Sequence, residues 1–177
     1  MRRMTVKSTN ARIGGKRARV NGGYFEKLID RECRIYEECG AAKIEKTPEP
    51  MKPLRPPNQQ GQFLACYTKH AQPDYKGTLR GGKAVVFEAK HTDADRIEKS
   101  RVTEDQMAAL LSHEQLGAKS FVLVSFHFER FYRVPARVWG NMEEIYHKKS
   151  VNEKDLAPYR LNGILFLGMT ENGESLA

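Results

Sequence analysis

The chain has 177 residues, a net charge of +8 and three cysteines, a length suited to one domain that buries a core without covalent staples. Cys33, Cys39 and Cys66 are odd in number and irregularly spaced, which argues against a disulfide framework or a zinc site and points to a reducing, cytoplasmic setting. The longest apolar runs, near Phe121 and Ile164, are only strand-length, so neither a secretory leader nor a membrane span is expected, although Arg2 and Arg3 open the chain.

The charge is concentrated at the start. Arg2, Arg3, Lys7, Arg12, Lys16, Arg17 and Arg19 come with no acid in the first twenty residues, leaving 23 basic against 22 acidic residues beyond them. The expectation is a flexible basic arm over residues 1–20 followed by one folded unit over 21–177. Such an arm suits the phosphates of DNA, with a solubilising tail as the alternative. After Asn21-Gly22-Gly23, apolar residues recur at Phe25, Leu28, Ile29, Cys33, Tyr36 and Cys39. That spacing predicts an amphipathic helix, with Asn21 near its N-cap and Gly40 at its end.

A short strand over 41–46 comes next. Residues 47–62 then hold Pro48, Pro50, Pro53, Pro56 and Pro57, which predicts an extended projection rather than a domain boundary. Strands are expected at 63–68, after Pro73, and over 84–90, the last two joined by a hairpin at Arg80-Gly81-Gly82-Lys83. Thr103-Glu104-Asp105-Gln106 has the form of a capping box opening a second helix. The nearly all-apolar run 121–126 fits a strand covered on both faces, residues 131–134 form another, a helix runs through Trp139 and Ile145, and 164–167 closes as a strand or docked tail. The order implies an α/β architecture, a central mixed β-sheet flanked by helices.

The chemistry lies in Pro73-Asp74 and Glu88-Ala89-Lys90. With the turn centred on Gly81, Asp74 and Glu88 stand opposite each other on neighbouring strands, their Cβ atoms roughly 5 Å apart. Glu88 and Lys90 share a face, about 6.6 Å apart along the strand. Two carboxylates and an amine converging on one point suit phosphodiester hydrolysis. The acids would hold Mg²⁺, with Mn²⁺ as a possible substitute, and the lysine would orient the nucleophile or neutralise the phosphate. The bland alternative is a surface cross-strand pair. Against it, unpaired charge is costly in so apolar a strand. The five histidines lack metal-ligand spacing and read as surface or DNA-facing. No serine or cysteine sits in a nucleophile motif. Trp139, Phe126, Phe128, Phe131 and Tyr132 read as core and dimer surface.

These residues match the PD-(D/E)xK signature, and the wider string resembles RecU Holliday-junction resolvases of Gram-positive bacteria and their phages. The likeness runs from Gly22 to about Trp139. It rests on Gly22-x-x-Phe25-Glu26, Lys46-Thr47-Pro48-x-Pro50, Asp74-Tyr75-x-Gly77, Phe87-Glu88-Ala89-Lys90, Gln106-Met107, Gly117-Ala118 and the Phe-Tyr-x-x-Pro segment ending at Pro135. The resemblance implies a restriction-endonuclease-like core and a Mg²⁺-dependent endonuclease that nicks opposed strands of four-way DNA junctions. It implies a homodimer acting in recombination and repair, with recombinase or branch-migration proteins as possible partners.

It further implies magnesium contacts from Asp74, Glu88 and Gln106, transition-state support from Lys90, and a place at the site for Glu26. Gln72 stands where the family tends to have a threonine, so its amide would replace that contact. The Pro-rich stretch takes the place of a stalk entering the junction, where Lys52, Arg55 and Lys69 would touch phosphates. Read without the resemblance, Gln106 could instead be the capping-box partner of Thr103, and Glu26 a first-turn acid favoured by the helix dipole. The rival readings are a restriction-type or other repair nuclease of this fold and a non-catalytic DNA-binding or recombination-modulating module. A cell-wall-linked role, once attached to this family, has no sequence feature behind it.

Overall fold

A computed structural model describes the backbone at residues 6–48, 50–68 and 72–168, with side chains from Val20 onward except at Tyr67. The first helix, α1, spans Val6–Glu38, not from Asn21 as expected. The Asn21 side chain caps nothing: its Nδ2 donates to Asp93 at 2.7 Å, and no proline interrupts the residues before it. Gly40 ends the helix as predicted, with φ at +65°.

The central sheet has five strands in the order β1 (Ala42–Lys46), β4 (Tyr75–Leu79), β5 (Ala84–Thr92), β7 (Lys119–Phe126) and β8 (Arg130–Pro135). All neighbours are antiparallel except β5 and β7. That parallel pair needs a crossover, and the helix α2 (Glu104–Gln115) supplies it. The sheet is mixed and flanked by helices, as expected.

The Pro-rich projection is more ordered than the proline count implied. β2 (Met51–Pro53) and β3 (Ala65–Tyr67) pair into a hairpin that exposes Met51, Leu54, Phe63 and Leu64. Pro53 is tolerated because it lies at a strand end. The helix expected through Trp139 and Ile145 breaks at Asn141 into α3 (Ala136–Gly140) and α4 (Met142–Tyr146). A pairing not foreseen joins β6 (Arg96–Glu98) to β9 (Ser150–Asn152). Residues 164–167 are a docked tail, with Phe166 and Leu167 buried.

Alternation along the strands divides the core in two. Val85 and Phe87 face α1, where Tyr75, Phe87 and Phe121 stack with successive ring centroids 4.8 Å apart beneath Phe25, Ile29 and Tyr36. Val86, Val122 and Val124 face Leu110 of α2 and Trp139 and Met142 beyond it. Gly77 permits β1 and β4 to pack, since a Cβ there would stand 2.1 Å from the Lys43 carbonyl oxygen. Trp139, Phe126, Phe131 and Tyr132 are core residues, and no described helix is long and apolar enough to cross a membrane.

Candidate active site

The hairpin behaves as its spacing requires. Tyr75 pairs with Phe87 and Thr78 with Ala84, while Gly81 and Gly82 supply the left-handed turn at φ values of +87° and +88°. Continued by one rung, this register sets Asp74 against Glu88. The next rung would ask Pro73 to face Ala89, but β4 begins only at Tyr75, and the Asp74 side chain takes over. Its Oδ2 accepts the Ala89 amide at 3.0 Å. The Asp74 carbonyl accepts from Thr47 N at 2.8 Å, so both ends of the residue are tethered.

Glu88 is wholly buried. Its Oε2 accepts from Lys90 Nζ at 2.8 Å and from Gln106 Nε2 at 2.8 Å, while Oε1 has no hydrogen-bond partner. Lys90 Nζ also lies 3.6 Å from Asp74 Oδ2. The predicted trio therefore meets at one ammonium, on the α2 face of the sheet. Burial raises the Glu88 carboxyl to about 7, with the Asp74 charge adding to the rise and Lys90 opposing it.

Gln106 is the capping-box partner of Thr103 and also reaches Glu88. Its Oε1 accepts from Thr103 N at 3.1 Å and its backbone amide donates to Thr103 Oγ1 at 3.3 Å, closing the capping box. With the oxygen held there, the amide's NH₂ end is aimed at Glu88. Helix capping thus orients a residue of the site. As placed, Gln106 presents a donor to the carboxylate rather than a free oxygen to a cation.

Glu26 and Gln72 sit apart from this cluster. Glu26, on α1, pairs with Lys46 at 2.6 Å, and its carbonyl accepts from the Tyr75 hydroxyl at 3.4 Å. The Gln72 amide oxygen accepts from Lys76 Nζ at 2.8 Å. Lys52 and Arg55 are exposed on the β2–β3 hairpin. Arg2, Arg3 and Lys69 lie outside the described residues, as do the side chains of Lys7, Arg12, Lys16, Arg17 and Arg19.

One expectation fails outright: His91 is not a surface residue. It is buried on β5, with Nδ1 3.2 Å from Ser125 Oγ and Nε2 3.0 Å from Asp93 Oδ1. Phe128 stacks on its ring at 3.6 Å between centroids, at a turn where His127 and Phe128 both have positive φ. His91 has the parity of Phe87, which faces α1, so it lies across the sheet from Glu88. Strand alternation alone would have revealed this.

The donors at the site fit a hard divalent cation. The buried Glu88 Oε1 without a partner and the facing Asp74 carboxylate are oxygen ligands of the type Mg²⁺ accepts, one or two carboxylates being its usual protein share. Among the described residues no group of three or more His, Cys, Asp or Glu has metal-site geometry, so a cation here would draw its remaining ligands from water and substrate. A cleft of about 620 Å³ lined by Val102, Met107, Leu111 and Trp139 shares no side chain with the carboxylate cluster. We assign the chemistry to the cluster, because there a fully buried carboxylate with an unpartnered oxygen meets a second carboxylate and a lysine.

A family model described as Recombination protein U matches residues 20–164. Among solved structures, the chain is similar to Archaeoglobus fulgidus Hjc, a Holliday junction resolvase from an archaeal hyperthermophile. The TM-score is 0.50 at 13% identity, over 78% of this chain and 93% of that one. At that identity the likeness speaks for the fold, a restriction-endonuclease-like core. No match was found among curated proteins.

Proposed function

The chain belongs to the Recombination protein U family, and from that premise we propose that it is a metal-dependent endonuclease resolving four-way DNA junctions by paired nicks. The observation carrying this reading is the convergence of Asp74 and Glu88 on Lys90.

The chain's residues divide the work by chemistry. Asp74 and Glu88 are the oxygen donors that would hold Mg²⁺ or Mn²⁺. A bound ion supplies charge stabilisation and an acidified water. Lys90, touching both carboxylates, is placed to orient the attacking water or to neutralise charge on the phosphate. Gln106 holds Glu88 Oε2, and the Ala89 amide holds Asp74, so neither carboxylate needs to reorganise. In this reading Glu26 and Gln72 would add contacts to the metal from outside the cluster, and the basic residues of the first twenty, Lys52, Arg55 and Lys69 would contact DNA, the arm and hairpin gripping phosphates. Nicking two opposed strands together needs two centres related by a two-fold axis, hence a homodimer.

The test uses the full chain with a labelled four-way junction and a linear duplex of the same sequence, with Mg²⁺ and with EDTA. Expected are paired symmetrical nicks in the junction only, and only with metal, while Asp74→Asn abolishes cleavage and keeps junction binding. Equal cutting of the linear duplex would make it a nuclease of another specificity. Binding without cleavage by the unmodified chain would make it a non-catalytic module.

A further inference from the structure

The other end of the sheet gathers cations that pair with no acid among the described residues. Lys119 opens β7 in register with Val85, and Arg133 lies on the edge strand β8 opposite Leu123. Both therefore project from the α1 face, across the sheet from Glu88. They reach consecutive carbonyls of the docked tail: Lys119 Nζ donates to Leu167 O at 3.4 Å and Arg133 Nη1 to Phe166 O at 3.0 Å. Lys83, at the end of the β4–β5 turn, adds a third positive charge that is felt at Lys119.

Of the other part-buried cations, three have carboxylate partners: Lys90 has Asp74 and Glu88, Arg130 has Glu129 and Glu153, and Lys99 has Glu143, while Lys76 donates to the Gln72 amide. None of the described ion pairs includes Lys83, Lys119 or Arg133. Burial, reinforced by the Arg133 and Lys83 charges, pushes the Lys119 amine down to about 8. Burial lowers Arg133 as well. Two half-desolvated cations beside an exposed third, faced among the described residues by backbone carbonyls and the Tyr36 hydroxyl, are an unbalanced arrangement, and an anion is what would balance it. A planar guanidinium beside two ammonium groups matches the several oxygens of a phosphate better than a single carboxylate.

We propose that Lys83, Lys119 and Arg133 form a phosphate-binding site, separate from the cleavage centre, that holds a backbone phosphate of bound DNA. Lys119 lies three rungs before the Glu88 level, about 10 Å along the strands, and on the opposite face. The phosphate held there is not the one being cut. It belongs to another stretch of duplex, such as a second arm of a branched substrate. The identity of the polyanion rests on the nuclease reading above.

Two measurements test the site. In the first, inorganic phosphate is titrated against the full chain and its thermal midpoint followed. The wild type should be stabilised and Lys119→Gln/Arg133→Gln should not. In the second, junction binding is measured over a salt series in the Asp74→Asn background. Adding the two substitutions should flatten the slope of log Kd against log salt by about one for each lost contact. The exposed Lys83→Gln, which removes no buried group, should flatten it by the same step, and Lys119→Arg should restore it. Equal phosphate stabilisation of wild type and double variant would overturn the site. Loss of phosphate stabilisation with an unchanged salt slope would overturn its assignment to DNA. Failure of the wild type to bind any junction would instead reject the nuclease reading, and would be seen before any variant is made.

Discussion

Strand β5 carries two unlike environments on alternate residues. On one face, Phe87 is stacked between Tyr75 and Phe121 in a close-packed apolar layer. On the other, one residue along, Glu88 is just as buried but is surrounded by an amine, an amide and a second carboxylate. The dry, aromatic face locates the backbone to within what ring packing allows, and the opposite face uses that accuracy to hold charge. A residue with only Glu88's polar contacts would not stay buried; its strand is kept in place from the other side.

The sharpest way to break this division is to remove the dry anchor. Phe87→Ala should cost about 4 kcal/mol in chemical denaturation, the usual penalty for deleting a buried aromatic. It should also lower cleavage in whatever fraction remains folded, although Phe87 lies on the far face from Glu88. Intact activity in the folded fraction would show that the two faces are independent.

The next largest effect comes from Glu88 itself. Its folded pKa stands at about 7, above the ordinary carboxylate value of 4.5. Between these pH values the native state retains a proton that the unfolded chain has released. The stabilisation is full below about pH 4.5 and is lost as pH rises through 7, on the order of 3 kcal/mol in all. In EDTA, the stability of wild type minus that of Glu88→Gln should decline across this window, and Mg²⁺ should shrink the decline by binding the ionised form. A flat difference would mean that Glu88 is ionised in the native protein throughout.

Gly77→Ala should cost about 2 kcal/mol by forcing β1 and β4 apart, since its Cβ would meet the Lys43 carbonyl. Its signature is faster hydrogen exchange at the β1–β4 ladder, with the β5–β7 ladder unaffected. Smallest is Gln106→Ala, at about 1 kcal/mol for a broken capping box. Gln106→Glu should recover the cap but set a third carboxylate beside Glu88 and Asp74, raising the pH at which activity appears. Identical behaviour of these two variants would reduce Gln106 to a helix cap alone.

Much of the site was legible because the interactions that build it are short in sequence. Fourteen residues separate Asp74 from Glu88 around a glycine turn, and a two-stranded register with period two leaves little freedom over that distance. Asp74, Glu88 and Lys90 were therefore placed correctly by counting. The capping box at Thr103 was legible for the same reason. Its second use was not, because only the packing of α2 across β5 brings Gln106 to Glu88. His91 was misread because its titratable ring was weighed above its position in the strand. The onset of α1 was misread because Asn21 resembles a cap until Asp93, 72 residues away, takes its side chain.

By itself the sequence determined the alternation of β5, the turn at Gly81 and Gly82, and thereby the meeting of two acids and an amine, since local spacing and steric rules suffice over one hairpin. The tertiary structure alone decided the rest: which helix covers which face, that Glu88 is left with a buried, unpartnered oxygen, and that Lys119 and Arg133 reach the same stretch of backbone with no described acid paired to either. Those outcomes depend on contacts between segments distant along the chain, whose geometry follows from the packing of the whole core and is encoded in no single window of residues.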